Sequence, residues 1–456
     1  MISDKQNILS EIKKIVGEES VITDVSRMYA HSATINSDEV KYPIGIIIPK
    51  TAEEVSSIMK YCYYHDVKVS VRGGGTNVNG SAVSIGGDFI LSTEKLNRIL
   101  EISKIDRTAT VETGVITEHI NKEAGQYGLM FSQNISSSSQ CFIGGNIATS
   151  AGSPYSLKYG TIKNAVINLE VVLPDGEIIW TGKNVTKNAT GYNLTQLFIG
   201  SEGTLGIITK AVIKLEPVLL SSLIVVPFTH IEKLFEFADL FFESGFEALC
   251  MEFLDKKGCE LVTGFLEGEG RFKPDIEGLL WIEFENHPKF DLEKFHQLIS
   301  EYTPEDILYA DENTGKERLW KYRKQIGEAA VSYSSFRDID IVVPRSKSLL
   351  LYKTINSICL DFDFEFIVIG HIGDGNFHIN IFNNKDKDWD QAIEGCLLQI
   401  YKAVNTYGGT ISGEHGVGAL NNRYLDIVMS EYQINVLKQI KNLFDPKNIL
   451  NNTIIF

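Results

Sequence analysis

The residues with the most chemical potential lie in His371-Ile372-Gly373-Asp374-Gly375-Asn376-Phe377-His378-Ile379-Asn380. Apolar runs flank this stretch, Phe364 to Ile369 before it and Ile379 to Phe382 after it, and both read as strands. Gly373 to Asn376 is turn chemistry, since Gly and Asn tolerate positive φ and Asp bonds its own backbone. A hairpin with those four residues as its loop would pair Ile372 with Phe377. It would set His371 opposite His378 on one face, roughly 4.5–5.5 Å apart at Cβ. Two neutral imidazoles at that spacing suit a divalent metal, zinc foremost, although a pair of ordinary surface histidines would show the same pattern. A second stretch, Gly408-Gly409-Thr410-Ile411-Ser412-Gly413-Glu414-His415-Gly416-Val417-Gly418, places an acid and an imidazole together among glycines. Three of the chain's nine histidines fall in these two stretches. Glu414 could complete a His-His-Glu site with an open coordination position, as a catalytic metal requires. If the segment is extended, His415 points the other way and is available for proton transfer. The alternative is a glycine-rich turn with an incidental charge.

Anion-binding chemistry is concentrated in the first half. A strand at Val67 to Val71 runs into Arg72-Gly73-Gly74-Gly75-Thr76-Asn77. With Val at position 78 this is not Gly-x-Gly-x-x-Gly, and without a following Gly-Lys-Ser/Thr it is not a Walker loop. What remains is a nest of backbone N–H groups able to cradle a pyrophosphate. Ile143 to Gly152, which includes Gly144, Gly145, Asn146 and Thr149, consists almost wholly of small residues, as close approach to a large planar ligand requires. Lys158-Tyr159-Gly160 and the run Gly200 to Thr209 add further glycines.

The elements that would position these groups follow a clear order. Residues 2 to 16 read as an amphipathic helix with Ile2, Ile8, Leu9, Ile12, Ile15 and Val16 on one face. A short strand, Ile44 to Ile48, stops at Pro49. Thr51 caps the next helix, with Glu53 and Glu54 in its first turn. Ala165 to Leu173, the turn Pro174-Asp175-Gly176 and Glu177 to Trp180 form a hairpin. From about residue 40 to 215 strands, short helices and glycine loops alternate, an α+β pattern suited to an extended dinucleotide. After Pro217 the glycines thin out. Strands at 222–227, 279–285 and 339–343 alternate with helices at 231–243, 291–300, 318–332 and 347–359, which suggests a ferredoxin-like second domain. A helix from Tyr432 ends near Phe444-Asp445-Pro446. The expected divisions are a helical segment at 1–38, a cofactor domain at 39–217, a cap domain at 218–410 and a closing C-terminal segment at 411–456.

Composition narrows the function classes. The chain is 43% hydrophobic and 22% charged, as expected of a soluble globular protein. A formal net charge of −16 argues against a nucleic-acid partner, which needs clustered Lys and Arg. The N-terminus lacks the apolar core of a signal peptide, and the apolar stretch Val218 to Phe228 is too short to span a bilayer. A cytoplasmic location is expected, with peripheral attachment at a membrane left open. Six scattered cysteines without Cys-x-x-Cys do not make an iron–sulfur site and read as buried thiols in a reducing compartment.

Together, and in this order, the motifs from about Tyr42 to Leu450 resemble the FAD-linked 2-hydroxy-acid dehydrogenases: D-lactate dehydrogenase, the flavin subunit of glycolate oxidase and D-2-hydroxyglutarate dehydrogenase. The resemblance implies a two-lobed FAD-binding domain of the vanillyl-alcohol oxidase type (the p-cresol methylhydroxylase, or PCMH, type), followed by an α+β cap. It implies that Arg72, Gly73, Gly74, Gly75, Thr76 and Asn77 form the pyrophosphate loop and that Gly144, Gly145, Asn146 and Thr149 line the flavin. Gly203, Thr204, Gly206 and Ile207 would approach the cofactor from the other lobe. It further implies a metal on His371, His378 and Glu414, His415 as the base, and Asn380 and Arg323 of Trp320-x-x-Arg323 as contacts for the substrate carboxylate. The sequence departs from the family in three places. Asp338 stands where D-2-hydroxyglutarate dehydrogenases carry a lysine, so a small monocarboxylate such as D-lactate or glycolate is favoured, although Arg337 is adjacent. Ser153 replaces a common glycine, and Asn451-Asn452-Thr453-Ile454 replaces the usual Asn-Pro-Gly-Lys.

The main expectation is therefore oxidation of a D-2-hydroxy acid to the 2-oxo acid with noncovalent FAD. Electrons would leave to an electron-transferring flavoprotein, a quinone, a separate iron–sulfur subunit or oxygen, and a homodimer is compatible with the sequence. A metal-dependent hydrolase would use the same histidines but leave the glycine-rich half without a role. A non-catalytic flavin-binding subunit of an electron-transfer complex would be expected to have lost some of the acid, base and metal residues.

Overall fold

The computed structural model describes residues 2–32, 42–82, 89–133, 135–266, 275–286, 291–303, 306–383 and 388–454. The expected boundary at 38–39 and the side chain of Ile2 lie outside what is described. The chain divides into two compact units. The first comprises Met1–Ser153, Gly160–Val218 and Glu414–Phe456, and the second Pro154–Tyr159 and Leu219–Gly413.

Two sheets organise the first unit. In the four-stranded sheet, Phe89–Ser92 lies between Gly45–Ile47 and Val69–Arg72, parallel to both, and Val21–Ile22 pairs antiparallel on the edge. The helix Ala52–Tyr64 covers it. Its cap is as expected, with the Thr51 hydroxyl accepting from Glu54 N and both acids in the first turn. The N-terminal helix Ile2–Val16 packs Ile12 and Val16 into the same core as Val55, Ile58 and Phe89. The second sheet is antiparallel, in the order Ile99–Ser103, Thr108–Glu112, Ile207–Lys214, Val166–Val172, Ile178–Trp180. The expected hairpin turn holds: Asp175 Oδ1 accepts from Glu177 N, and Gly176 takes φ +86°. The last helix, Glu431–Phe444, ends at Asp445, whose buried carboxylate accepts from Ile449 N and Leu450 N. Leu450 then bridges to Val69, and Asn451 Oδ1 accepts from Val71 N at 2.8 Å. The C-terminal end therefore docks on the strand leading to Arg72 despite its unusual last residues.

A seven-stranded antiparallel sheet forms the second unit. Its order is Leu308–Ala310, Ser221–Phe228, Gly278–Glu285, Cys250–Asp255, Phe366–His371, Asn376–Phe382, Phe336–Val342. Many antiparallel sheets leave one face to water and alternate in polarity. Here Ser221–Phe228 and Cys250–Asp255 are buried at every position, because helices cover both faces. On one face Val262, Trp320, Ile326 and Ala330 pack with Leu223, Leu254, Trp281 and Ile367. On the other, Phe235 of helix Ile231–Glu243 meets Phe253 and Phe377.

Candidate active site

The hairpin forms, with a register different from the expected one. His371 pairs with Asn376, Gly370 with Phe377 and Ile369 with His378, so the loop is Ile372–Gly375. Asn376 belongs to the strand because its side-chain amide donates to Asp340 Oδ1 at 2.8 Å and to the Ile341 carbonyl at 3.0 Å. Gly375, at φ +79°, makes the reversal; a Cβ there would stand 2.1 Å from the Val343 carbonyl oxygen. The histidines are thus diagonal neighbours instead of direct partners. A slip of two residues preserves the face, whereas a slip of one would have turned one histidine away. Their rings lie 5.2 Å apart between centroids and nearly perpendicular, and both are buried.

Register places more chemistry on this face. Asp340 is opposite His378 and Asp338 opposite Asn380 in the neighbouring strand. Asn380 Nδ2 donates to Asp338 Oδ1 at 2.8 Å. Asp340 also accepts from Ser412 Oγ at 3.1 Å and Gly413 N at 2.9 Å. On the other side of the hairpin Glu252, fully buried, accepts from His371 Nδ1 at 2.5 Å through Oε1 and pairs with Arg323 Nη2 at 2.7 Å through Oε2. Arg323 comes from helix Asn313–Tyr333. That helix is held to the sheet one turn earlier, where Trp320 Nε1 donates to Glu283 Oε2 at 3.2 Å. The Nε of Arg323 is buried and has no hydrogen-bond partner among the described residues. A buried donor of this kind is costly unless something accepts from it.

Glu252 and Asp340 had no role in the sequence reading. The available signal for Glu252 was an acid inside the otherwise apolar run Cys250-Met251-Glu252-Phe253-Leu254, which is unusual unless the charge is paired.

The other expected site residues belong to the first unit. The segment carrying Glu414 and His415 is bent, so the condition of an extended segment is not met. Gly416 and Gly418 have φ +76° and +58°, and the imidazole Nε2 stands 3.7 Å from Glu414 Oε1. Glu202 imposes the bend: its carboxylate accepts from Val417 N at 2.8 Å and Gly418 N at 2.9 Å. Burial pushes its carboxyl up to about 7, against the pull of those two donors. Asn77 Nδ2 donates to the His415 carbonyl at 2.7 Å, and Asn79 Nδ2 does the same.

The two glycine-rich stretches pack backbone on backbone. A Cβ on Gly73 would lie 3.3 Å from Gly145 Cα, and one on Gly74 would lie 2.6 Å from the Gln140 carbonyl oxygen. A Cβ on Gly145 would meet nothing within 4 Å, so this floor is open above Gly145. Side chains here are committed to the protein. The Arg72 guanidinium donates to the carbonyls of Ala30 and Ala82, and Asn146 donates to Thr117 Oγ1. Gly144 packs on Thr113, and Thr149 bonds back to the Gly145 carbonyl. Gly75, at φ +71°, closes on the Arg72 guanidinium, and Thr76 is half-buried. Gly203, at φ +70°, abuts Asn451, and Gly206 abuts Val171, while Thr204 and Ile207 are fully buried. The stretch therefore presents backbone, as a phosphate or a flat ring requires.

A family model for "FAD binding domain" matches residues 43–182, and one for "FAD linked oxidases, C-terminal domain" matches residues 221–454. The D-2-hydroxyglutarate dehydrogenase of Stutzerimonas stutzeri is 31% identical, over 98% of this chain and 98% of that protein. The D-lactate dehydrogenase of Archaeoglobus fulgidus is 34% identical, over 89% of this chain and 90% of that protein. The crystal structure of p-cresol methylhydroxylase with substrate bound superposes with a TM-score of 0.80 at 14% identity, covering 99% of this chain and 96% of that one. This last match bears on the fold, which is of the two-lobed PCMH type. Among the described residues no helix is long and apolar enough to cross a membrane.

Proposed function

Because this chain belongs to the FAD-linked 2-hydroxy-acid dehydrogenase family, we propose that it oxidises a small D-2-hydroxy monocarboxylate, D-lactate or glycolate, to the 2-oxo acid. The observation that carries the reading is the buried sheet face on which an imidazole pair stands beside an arginine with an unmet donor. Such a face suits a metal held by the imidazole pair and a substrate carboxylate received by the arginine.

Residues 72–77 and 144–149 would hold FAD noncovalently, since their packed glycine backbones leave an open floor at Gly145. FAD, when bound, supplies an acceptor for the hydride that leaves the substrate Cα. His371 and His378 would hold a divalent metal, zinc foremost, with Glu414 as third ligand. Their donor set fits: both rings are buried on one face, and His371 is oriented by a carboxylate in the manner of metal-bound histidines. Glu414 is proposed from its place in the motif Gly413-Glu414-His415-Gly416. A metal there supplies Lewis acidity that lowers the pKa of the substrate hydroxyl.

The chain's own groups do the rest. Arg323 clamps the carboxylate and thereby presents the hydroxyl, with Asn380 as a further polar contact. His415 takes the hydroxyl proton as general base. Size and charge selection would come from Asp338 and Asp340, which stand opposite Asn380 and His378. A second substrate carboxylate brought within about 6 Å of Asp338 would be repelled by roughly 3 kcal/mol at an effective dielectric constant of about 20. Electrons then pass to an external acceptor, such as an electron-transferring flavoprotein, a quinone or a separate iron–sulfur subunit.

The test is anaerobic flavin bleaching by D-lactate, glycolate and D-2-hydroxyglutarate. The first or second should bleach at the lowest concentration; bleaching by the dicarboxylate alone would reject the monocarboxylate assignment.

A further inference from the structure

We infer that Glu252 is a positioning residue serving two partners at once: it sets the tautomer of His371 for metal ligation and aims Arg323 at the substrate carboxylate. This rests on the function proposed above. The carboxylate is fully buried between Cys250 and Leu254 in a strand whose neighbours on that face are apolar, so it persists there only if paired. It uses its two oxygens separately, Oε1 on His371 Nδ1 at 2.5 Å and Oε2 on Arg323 Nη2 at 2.7 Å.

The chemistry of each bond is specific. An imidazole that donates from Nδ1 carries its lone pair on Nε2, the form in which it ligates a metal. The Arg323 guanidinium meets the other oxygen as an ion pair, Nη2 to Oε2 at 2.7 Å, which fixes where its charge stands beside the histidine. A purely structural role needs only the arginine half of this arrangement. Helix Asn313–Tyr333 already has such an anchor in Glu283, which accepts from Trp320 Nε1 at 3.2 Å and from the Tyr155 hydroxyl at 3.0 Å. Among the described residues the Glu283 carboxylate bonds to Trp320, Tyr155 and Ser221 and to no histidine, so it serves as the control.

Glu252→Gln distinguishes the roles because an amide has one acceptor oxygen where the site needs two. If the oxygen faces His371, the NH2 opposes the guanidinium. If it faces Arg323, the NH2 donates to Nδ1 and forces the proton onto Nε2, where metal ligation is blocked.

The experiment is Zn²⁺ titration by calorimetry of chelator-stripped, FAD-loaded wild type, E252Q and Glu283→Gln, with steady-state KM for D-lactate and ring ¹⁵N shifts of His371 assigned by difference against His371→Ala. Loss of such an orienting carboxylate typically weakens metal binding by about 10- to 100-fold. E252Q is expected to show that loss, a raised KM and a shift of the His371 proton from Nδ1, whereas E283Q keeps wild-type Zn²⁺ affinity. E252Q with wild-type Zn²⁺ affinity overturns the inference, as does an equal loss in E283Q, which would make helix docking the cause. If E252Q fails to retain flavin absorbance, the same titration of Glu252→Asp decides: one methylene shorter, it withdraws both acceptors, and wild-type affinity there overturns the inference. Wild type that takes up no Zn²⁺ rejects the metal reading and this inference with it; uptake by wild type matched in E252Q rejects this inference alone.

Discussion

Arg323→Lys should raise KM for the hydroxy acid by about ten- to 150-fold and leave the protein folded with flavin bound. The guanidinium is nearly buried, paired at 2.7 Å to a fully buried Glu252, and its Nε lacks a partner among the described residues. A hydrogen bond to a charged group contributes about 1.5–3 kcal/mol, which converts to that range of KM if the lost bond is made equally to substrate and transition state. Lysine keeps a cation near Glu252 but lacks the planar fork, so the charge survives and the second donor does not. Arg323→Met goes further, because it leaves a buried carboxylate without its cation, a change that costs about 3–5 kcal/mol. For a unit of this size that is a fall in melting temperature of roughly 6–20 °C. The assay is steady-state dye reduction under anaerobic conditions, with thermal unfolding followed in parallel. R323K with wild-type KM would refute the carboxylate-clamp role. R323M with wild-type melting temperature would refute the claim that Glu252 depends on this arginine.

Other expectations follow from the same geometry. His415→Ala should retain the flavin spectrum but lose bleaching by substrate, and normal turnover would reject His415 as base. Asp338→Lys should shift the kcat/KM ratio of D-2-hydroxyglutarate over D-lactate upward by at least tenfold, since it replaces a repelling carboxylate by a cation; an unchanged ratio removes Asp338 from selectivity. Asp255 caps helix Lys256–Phe265 and also accepts from Val368 N, and burial pushes its carboxyl up to about 7. Its folded pKa lies above the unfolded value, so the fold holds a proton that the unfolded chain has released between about pH 4 and 7. That contribution favours the fold at the acid end and is lost as pH rises through about 7. Melting temperature should therefore decline less between pH 5 and 7.5 in Asp255→Asn than in wild type; identical slopes would contradict the shift.

Local signals in the sequence were read correctly where local chemistry decides. The Thr51 cap, the helix Ile231–Glu243 and the Pro174-Asp175-Gly176 turn needed only neighbouring residues to be legible. The shared face of His371 and His378 was legible because strand parity survives a register slip of two. The register itself was not, since Asn376 is drawn into the strand by Asp340, 36 residues away. Glu252 meets His371 across 119 residues of sequence, and nothing local announces that contact. Arg72 was placed in the pyrophosphate loop with no partner for its side chain; its guanidinium donates to the carbonyls of Ala30 and Ala82, partners outside its own turn. Helix Lys256–Phe265, with Gly258 and Gly264 inside it, went unread because its support comes from the Asp255 cap and from packing of Cys259 and Val262 in the core, not from propensity.

The central claim is best tested by the visible spectrum of the purified protein under anaerobic conditions, before and after D-lactate or glycolate, with and without prior chelation. The account predicts flavin absorbance that one of these acids bleaches, loss of bleaching after chelation with the flavin still bound, and recovery on adding Zn²⁺. Full bleaching after exhaustive chelation would contradict the metal's role, and a protein that cannot be loaded with FAD would contradict the account as a whole.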